Sequence, residues 1–306
     1  MRVVVVGAGG VGGYFGTRLA VAGHDVTFVA RGRHLAAIQE RGLVVRSALG
    51  EFRSTATAVP TIADAEPADL VLVAVKLWDT DDVAAQLKPA VAAGARVMSL
   101  QNGVRKDDDL RAHVGAEAVL GGVCYVSAVI SEPGVITHAG AMQKLVFGEF
   151  DGQPSALTTD FLAACAEAGI DAAVSPDIAR VIWEKFVFLV GLSATTAAVR
   201  APIGVVRSTP RTRVLLRDVM TEVVAVGRAS GVDLADDFVE ERLAFIDTLP
   251  PETAASMHHD LNRGGRLELP WLSGGVAELG QRLGVPTPRN QTVADILAPY
   301  ELGAVS

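Results

Sequence analysis

The chain has 306 residues, half of them hydrophobic, which is enough for one large domain or two domains of ordinary size. Its formal charge is −8 and no run of basic residues stands out, which argues against a nucleic-acid partner. Cys124 and Cys165 form neither a CxxC pair nor a metal-spaced set, so we expect buried, reduced thiols in a cytoplasmic protein. A strand begins at the first residues, so we expect no signal peptide, and the apolar stretch 186–199 is too short for a membrane span.

The N-terminal segment carries the clearest motif. The apolar run Val3–Val6 predicts a strand, and a G-x-G-x-x-G pattern at Gly7, Gly9 and Gly12 leads from it into a helical segment. The first glycine permits a tight turn, the second lets the backbone approach a pyrophosphate, and the third lets helix and strand pack closely. The motif therefore predicts a dinucleotide-binding loop made of Gly7, Ala8, Gly9, Gly10, Val11 and Gly12. A glycine-rich turn of some other α/β protein is the alternative.

Strands alternate with helices along the first half of the chain. After Val3–Val6 the predicted strands are 24–30, 43–46, 69–75, 95–100 and 118–120. Nearly unbroken runs of Val, Leu and Ala are typical of strands buried on both faces of a parallel sheet. Ligands of such sheets lie beyond the carboxyl ends of the strands, where Lys76 and Gln101-Asn102-Gly103 are found. The domain is completed by a strand pair, 134–138 and 144–148 around Ala139-Gly140, a helix over 156–168 and a strand over 170–174.

Ser175-Pro176-Asp177 marks a domain boundary, because it combines an N-cap residue, a proline for the first helical position and an acid for the first turn. Beyond it the predicted elements are all helices, over 178–199, 213–230, 236–248, 252–262, 272–283 and 291–297. The sequence therefore predicts an α/β protein. Residues 1–174 form an N-terminal Rossmann-type, doubly wound parallel sheet that binds the cofactor, and residues 175–306 form an all-α C-terminal domain with the substrate and catalytic groups.

The end of the second strand indicates which dinucleotide is bound. NAD-selective domains place an acidic residue there, on the ribose 2′-hydroxyl. This strand ends Val29-Ala30-Arg31-Gly32-Arg33, so the acid is missing and a guanidinium, which forks onto phosphate, stands beside its place. We expect NADP(H), with Arg31 as the first contact, Arg33 as a second and Lys76 as further positive charge. The alternative is that both arginines are ordinary surface charges.

Lys185 lies in the segment 181–190, which is apolar almost all round and therefore predicts a helix buried on most faces. A lysine there is costly unless it is paired or its pKa is lowered, and a lowered pKa lets a lysine act as a general acid near neutral pH. Ser193 lies two turns further on, on roughly the same face. The residues leave two interpretations equally open: a general acid, or a side chain that snorkels to solvent or pairs with Glu184.

A second polar cluster lies near the C-terminus. Glu268 stands between apolar residues just before a predicted helix, either to orient a substrate or the lysine, or as an ordinary acid at a helix start. His258 and His259 are adjacent and point to different faces, and nothing else joins them at ligand spacing, so we expect no metal site.

Taken together, these residues resemble the ketopantoate reductase (2-dehydropantoate 2-reductase) family over nearly the whole chain. The glycine motif alone is generic, whereas the ordered set is specific: Gly7–Gly12, Arg31, Val75-Lys76-Leu77-Trp78, Gln101-Asn102-Gly103, Trp183-Glu184-Lys185, and Ser256 followed by Glu268. The resemblance implies a Rossmann domain, a helical C-terminal domain and a cleft between them. It also implies an NADP-dependent oxidoreductase that reduces the 2-oxo group of ketopantoate to pantoate, a step toward pantothenate and coenzyme A.

The resemblance implies roles at the reacting end of the substrate. Lys185 corresponds to the family's proton donor, and Glu268 to its partner acid, which also lies near the nicotinamide ribose. Asn102 corresponds to the asparagine between cofactor and substrate, and Ser256 to a serine that binds substrate. Hydride leaves the nicotinamide for the 2-oxo carbon, while Lys185 hydrogen-bonds and protonates the oxygen.

The resemblance also implies the cofactor contacts away from the chemistry. Arg31 and Lys76 correspond to residues that serve the adenosine phosphate end, and Ala128 falls where a backbone contact to the cofactor is expected. The implied partner is a small 2-oxo acid, with no nucleic acid and no membrane. Whether the chain forms a homodimer is left open.

Three positions depart from the family's pattern. Where the family has asparagines that contact the substrate, this chain has Leu189, Ser193 and Ile203. Ser193 is retained as a substrate-binding candidate, whereas leucine and isoleucine remove polar recognition and change specificity. Two alternatives therefore stay open: a paralogous reductase of another 2-oxo acid or imine, and a catalytically silent NADP(H)-binding sensor.

Overall fold

The computed structural model describes residues 1–304, which divide into two compact units: Met1–Val181, and Ile182 to the end of the described residues. The sequence-based boundary, 174/175, lies at the end of the last strand. The division itself falls in the first turn of helix α7 (Ile178–Val199). The predicted bounds of this helix, 178–199, are confirmed. The residue that caps it is Asp177 and not Ser175, since Asp177 Oδ1 accepts a hydrogen bond from the Arg180 amide at 3.0 Å.

The first unit contains every strand among the described residues. The strands are β1 (Arg2–Val6), β2 (Asp25–Val29), β3 (Leu43–Ser47), β4 (Gly50–Ser54), β5 (Thr57–Val59), β6 (Leu70–Val73), β7 (Arg96–Ser99), β8 (Val119–Glu132), β9 (Val135–Gly148) and β10 (Asp171–Val174). The helices are α1 (Gly10–Val21), α2 (Gly32–Arg41), α3 (Thr80–Gln86), α4 (Lys88–Ala92), α5 (Lys106–Val114) and α6 (Ala156–Glu167). Short 3-10 turns cover Ile62–Asp64, Leu77–Asp79 and Ala116–Ala118.

These strands form one sheet of ten strands in the order β4-β3-β9-β8-β7-β6-β1-β2-β5, with β10 beside β9. The pairs from β8 through β7, β6, β1 and β2 to β5 are all parallel. Antiparallel pairing is confined to β3–β4 and β8–β9. The prediction of a Rossmann-type parallel sheet is therefore confirmed.

Alternate residues of the central strands pack on opposite faces of this sheet. Val3 and Val5 of β1 belong to one core cluster with Tyr14 and Phe15 of α1. Their neighbours in β1 belong to a second cluster, built with Leu110 of α5 and the helices beside it. Helices thus cover both faces, which is why these strands read as continuous apolar runs.

The prediction of a strand pair around Ala139-Gly140 is wrong. Residues 135–148 are the single strand β9, and β8 pairs with it on both sides of that point. The real turn is at Pro133-Gly134, where Gly134 has φ +81°. Gly140 does have a positive φ, +74°, but it lies in a bulge between the His138 and Gln143 pairings.

The second unit is helical, as predicted. After α7 its helices are α8 (Ile203–Ser208), α9 (Pro210–Ala229), α10 (Phe238–Thr248), α11 (Ser256–Asn262), α12 (Ser273–Leu283) and α13 (Pro288–Leu297), with 3-10 turns at Leu269–Trp271 and Ala298–Tyr300. Helices α9, α12 and α13 pack on one another. Glycines let α7 approach α9 closely, since a Cβ at Gly191 would overlap the Met220 side chain and one at Gly227 would overlap Trp183.

Helix α7 has 22 residues, so it is longer than the apolar stretch seen in the sequence and long enough to cross a membrane. About two thirds (67%) of its most apolar window is nevertheless buried inside the protein. This burial is what the core helix of a soluble protein shows.

Candidate functional site

The glycine loop holds the carboxyl end of β1 against that of β6. Gly7 has φ +97°, and its amide donates to the Val29 carbonyl of β2 at 3.0 Å. A Cβ at this position would lie 2.9 Å from the Ala74 carbonyl oxygen and from the Val75 nitrogen. Both the backbone conformation and the close approach therefore require glycine here.

Gly9 leaves the start of α1 open. It directly precedes the helix with φ −73° and ψ −162°, and no side chain caps the first turn. A Cβ on Gly9 would meet nothing within 4 Å. The first-turn amides and the positive end of the helix dipole are thus available to an anion, which is the arrangement that binds a pyrophosphate.

The other two loop glycines make close backbone contacts. A Cβ on Gly12 would lie 2.9 Å from the Ala74 Cβ and 2.9 Å from a Val5 methyl, so this glycine sets the packing of α1 on the sheet. A Cβ on Gly10 would overlap the Ala128 carbonyl group. The structure therefore brings Ala128 of β8 close to the loop, while Ala8 is buried and Val11 is half-buried.

Arg31 and Lys76 stand on either side of this loop. Strands β2 and β6 flank β1 in the sheet, and Arg31 and Lys76 follow their carboxyl ends. Arg31, Arg33 and Lys76 are all exposed, and Lys76 Nζ lies 5.6 Å from the centroid of the Trp78 ring. Within residues 1–304 no carboxylate forms an ion pair with either arginine.

Asn102 lies one strand further along, after β7, and is half-buried. Hydrogen bonds fix the loop that carries it: Ser99 Oγ donates to Gln101 Oε1 at 2.9 Å, and Gln101 Nε2 donates to Thr80 Oγ1 at 2.8 Å. The Thr80 hydroxyl in turn donates to the Leu77 carbonyl at 2.7 Å. This chain ties the loop after β7 to the turn after β6, and no sequence pattern indicated it.

A buried ion pair supports the same loop. Lys106 is 2% exposed, and its Nζ lies 2.9 and 2.7 Å from the two carboxylate oxygens of Asp107. It also donates to the Ser99 carbonyl at 3.3 Å. Burial raises the pKa of the Asp107 carboxyl, and the adjacent ammonium opposes that rise. Sequence reasoning missed this pair, because adjacent charges usually indicate a solvated surface.

His34 was also missed by the sequence reasoning. One of its ring nitrogens, Nε2, lies 2.8 Å from the Ala8 carbonyl oxygen, and the Gly134 amide donates to the other, Nδ1, at 3.0 Å. Burial lowers the pKa of this imidazole, although the hydrogen bond to Ala8 acts in the opposite direction. A histidine five residues beyond a strand gives no pattern that predicts these contacts.

The predicted catalytic lysine lies on α7 in the second unit. Lys185 is half-buried, whereas its sequence neighbours Trp183 and Phe186 are buried, and their rings pack edge to face with centroids 5.7 Å apart. Ser193 is fully buried two turns on, and its hydroxyl has no hydrogen-bond partner among the described residues. Leu189 is half-buried, whereas Ile203 is 0% exposed at the start of α8.

The other candidates of the second unit lie on separate elements. Glu268 is 7% exposed and directly precedes the Leu269–Trp271 turn, where its carbonyl accepts from the Trp271 amide at 3.1 Å. Ser256 is exposed at the first position of α11. His258 is buried with Nδ1 2.8 Å from the Thr196 carbonyl oxygen and Nε2 2.9 Å from Asn262, so it is a structural residue.

Comparison with known proteins extends these observations to the whole chain. Residues 3–152 match the model of the "Ketopantoate reductase PanE/ApbA" family, and residues 177–301 match that of its C-terminal domain. The chain is 34% identical to the 2-dehydropantoate 2-reductase of Halobacterium salinarum, over 97% of this chain and 98% of that protein. It is 31% identical to the uncharacterized oxidoreductase YkpB of Bacillus subtilis, over 98% of this chain and 99% of that protein.

A solved structure shows the same architecture. The PanE/ApbA family ketopantoate reductase of Ralstonia eutropha superposes with a TM-score of 0.90 at 34% identity, covering 98% of both chains. Fold and sequence thus agree with this family over both units, and the glycine loop agrees with it in the first unit. This chain belongs to the ketopantoate reductase PanE/ApbA family of oxidoreductases.

Proposed function

We propose that this chain reduces the 2-oxo group of ketopantoate to pantoate with NADPH. One observation carries the proposal. The chain matches a relative named 2-dehydropantoate 2-reductase almost from end to end, at 34% identity. The resemblance in sequence assigns the roles of the family's proton donor and its partner acid to Lys185 and Glu268. A sensor without catalysis needs neither residue.

The residues of the first unit fit an NADP(H) cofactor. The open first turn at Gly9 suits the pyrophosphate, and the Ala128 carbonyl beside Gly10 is placed for a backbone contact. Arg31 and Arg33, exposed and without carboxylate partners among residues 1–304, suit a 2′-phosphate, which an acidic residue at the end of β2 would repel. When bound, NADPH supplies the hydride.

Lys185 is the proposed proton donor. As negative charge develops on the 2-oxo oxygen, its ammonium group hydrogen-bonds that oxygen and then gives it a proton. The buried carboxyl group of Glu268 orients the substrate and the lysine, and Asn102 and Ser256 hold the carboxylate and hydroxyl groups of the substrate. General acid catalysis of this kind contributes about 10²- to 10⁴-fold in rate.

The reaction is tested by following the hydride. NADPH carrying deuterium at the transferred position of C4 should give pantoate that is one mass unit heavier. One NADPH should be consumed for each pantoate formed. A chain that binds NADPH but turns over no 2-oxo acid or imine would contradict the proposal and favour the sensor.

A second candidate is a reductase of a more apolar 2-oxo acid. Leu189 and Ile203 favour it, because they replace side chains that hydrogen-bond the substrate in the family. Leu189→Asn tests this candidate through kcat/KM for ketopantoate. If ketopantoate is the natural substrate, this value should rise little in the variant. A rise of about tenfold or more would favour the apolar substrate.

We also propose that the enzyme works in the cytoplasm. Cys124 and Cys165 are both buried and free, as the sequence predicted. Burial raises the pKa of the Cys165 thiol to about 12, so this thiol stays protonated and unreactive at neutral pH. Free thiols of this kind are typical of a reducing compartment.

A further inference from the structure

His34 clamps the glycine loop to the turn between β8 and β9. The Gly134 amide can only donate, so the Nδ1 atom it contacts at 3.0 Å must be an acceptor without a hydrogen. Nε2 then carries the proton and donates to the Ala8 carbonyl at 2.8 Å. The two contacts together select one neutral tautomer of the imidazole.

Holding the Ala8 carbonyl also fixes the next amide. The Ala8–Gly9 peptide bond is trans, as no cis peptide bond occurs among the described residues. In a trans peptide the N–H points opposite to the C=O. The Gly9 N–H is therefore directed away from His34. Gly9 directly precedes α1, and a Cβ on it would meet nothing within 4 Å.

We propose that His34 is a positioning residue for the dinucleotide. By holding the Ala8–Gly9 peptide it presents the Gly9 N–H to the pyrophosphate, and it does so only as the neutral imidazole. A proton added at Nδ1 would place the N–H of His34 opposite the N–H of Gly134. Two donors cannot form a hydrogen bond, so the contact with the turn would be lost. The proposal rests on the proposed function in one respect: the anion at Gly9 is a pyridine dinucleotide.

The surroundings favour the neutral form at physiological pH. Burial lowers the pKa of His34, against the opposing effect of the Ala8 hydrogen bond. The glycine loop itself carries no titratable side chain. The charged groups on the other neighbouring segments are all exposed: Arg31, Arg33, Glu40 and Arg41 on and beside α2, and Glu132, which pairs with Arg46 at 3.3 Å. Dinucleotide affinity should therefore fall as the pH drops through and below the ordinary pKa range of histidine.

The test is a calorimetric titration of wild type, His34→Gln and His34→Leu with NAD⁺ and NADP⁺ from pH 5 to pH 8. NAD⁺ is included because the 2′-phosphate of NADP⁺ itself titrates near pH 6. Glutamine keeps a donor and an acceptor but does not titrate, whereas leucine removes both. His24→Gln, which removes a partly buried histidine at the far end of β2, is the matched control.

For wild type and for His24→Gln we expect Kd for NAD⁺ to rise on the order of tenfold from pH 7.5 to pH 5. His34→Gln should bind within about threefold of wild type at pH 7.5 and show little change with pH. His34→Leu should bind about tenfold more weakly throughout, with kcat at saturating NADPH within about twofold of wild type.

Two results would overturn this assignment alone: His34→Leu binding both dinucleotides as tightly as wild type, or His34→Gln keeping the wild-type dependence on pH. If wild type binds neither dinucleotide at pH 7.5, the proposed function fails with it. A loss of kcat at saturating NADPH in both variants would indicate a general folding role and would also contradict the assignment.

Discussion

At the residue scale, Lys185 combines a charge with an apolar helix. Trp183 and Phe186 are 8% and 2% exposed, while Lys185 between them in the sequence is half-buried. Full burial of a lysine in an apolar helix is costly, and a half-buried position limits that cost. The sequence predicted this position because a charged residue interrupts a long apolar run.

Lys185→Arg tests the proton donor. Arginine keeps the positive charge but cannot be deprotonated in a protein, so kcat for ketopantoate should fall on the order of 10²-fold or more, with NADPH affinity within about threefold. Stopped-flow kinetics and a binding titration measure the two quantities. An unchanged kcat would contradict the assignment.

Arg31→Ala tests the choice of dinucleotide. Loss of a guanidinium that forks onto the 2′-phosphate should weaken NADPH by about tenfold and leave NADH within about twofold. Arg33→Ala, two residues away and also exposed, is the matched variant and should have the smaller effect. Equal losses for NADPH and NADH would show that Arg31 does not contact the 2′-phosphate.

The contacts of other residues near the site could not be predicted, because their partners lie far away in the sequence. Gln101 acts through Thr80, 21 residues earlier, and His34 through Gly134, 100 residues later. Neither residue type indicates such a contact by itself. The residues that were predicted carry a local signal: glycine spacing at Gly7–Gly12, or a missing acid beside Arg31.

At the element scale, the loop between β1 and α1 contains one glycine that faces open space, Gly9, and one that packs closely on β8, Gly10. Gly9 faces open space, so Gly9→Ala should fold with an unfolding free energy within about 0.5 kcal/mol of wild type and yet bind NADPH at least about tenfold more weakly. Its added methyl would occupy the approach of the pyrophosphate.

Gly10→Ala is the matched variant in the same loop. Its methyl would overlap the Ala128 carbonyl, so we expect about 1–3 kcal/mol of lost stability as β8 is pushed from α1. Urea unfolding and a binding titration compare the two variants. If Gly9→Ala binds NADPH as tightly as wild type, the pyrophosphate does not lie over Gly9.

Glu222 of α9 stabilises the second unit by capping α13. Its carboxylate accepts from the Arg289 and Asn290 amides at 2.7 and 2.9 Å, at the positive end of that helix. Glu222→Gln should therefore cost about 1–2 kcal/mol in urea unfolding, with kcat unchanged. Glu252→Gln, an exposed glutamate, should change stability by less than about 0.5 kcal/mol, and an equal cost for both would refute the capping role.

The β8–β9 hairpin shows where element prediction fails. Gly140 was interpreted as a turn because glycine adopts positive φ, and it does so here, but inside one strand. His138 Nε2 lies 2.9 Å from the Met142 carbonyl oxygen and spans the bulge, a contact that local sequence does not indicate. Much of the outer hairpin is exposed, so the alternation that normally marks a strand is weak.

At the scale of the whole molecule, the order of elements was predictable. Strands buried on both faces leave continuous apolar runs, and these predicted the central parallel strands β1, β2, β6 and β7. The short strands β4 and β5 and the helix α8 were missed, since segments of three to six residues carry too little periodicity. The boundary at 174/175 was predicted from capping residues, and these mark where α7 starts. The two compact units divide a few residues later, between Val181 and Ile182, inside α7.

The proposed substrate of the chain is ketopantoate. The measurement that tests it most directly is kcat/KM for ketopantoate with NADPH, set against a panel of branched, aromatic and linear 2-oxo acids. We expect kcat/KM for ketopantoate to exceed that for every other acid by about tenfold or more, and Lys185→Arg to lower this turnover on the order of 10²-fold or more. No turnover of ketopantoate above background, with efficient reduction of another acid of the panel, would contradict it.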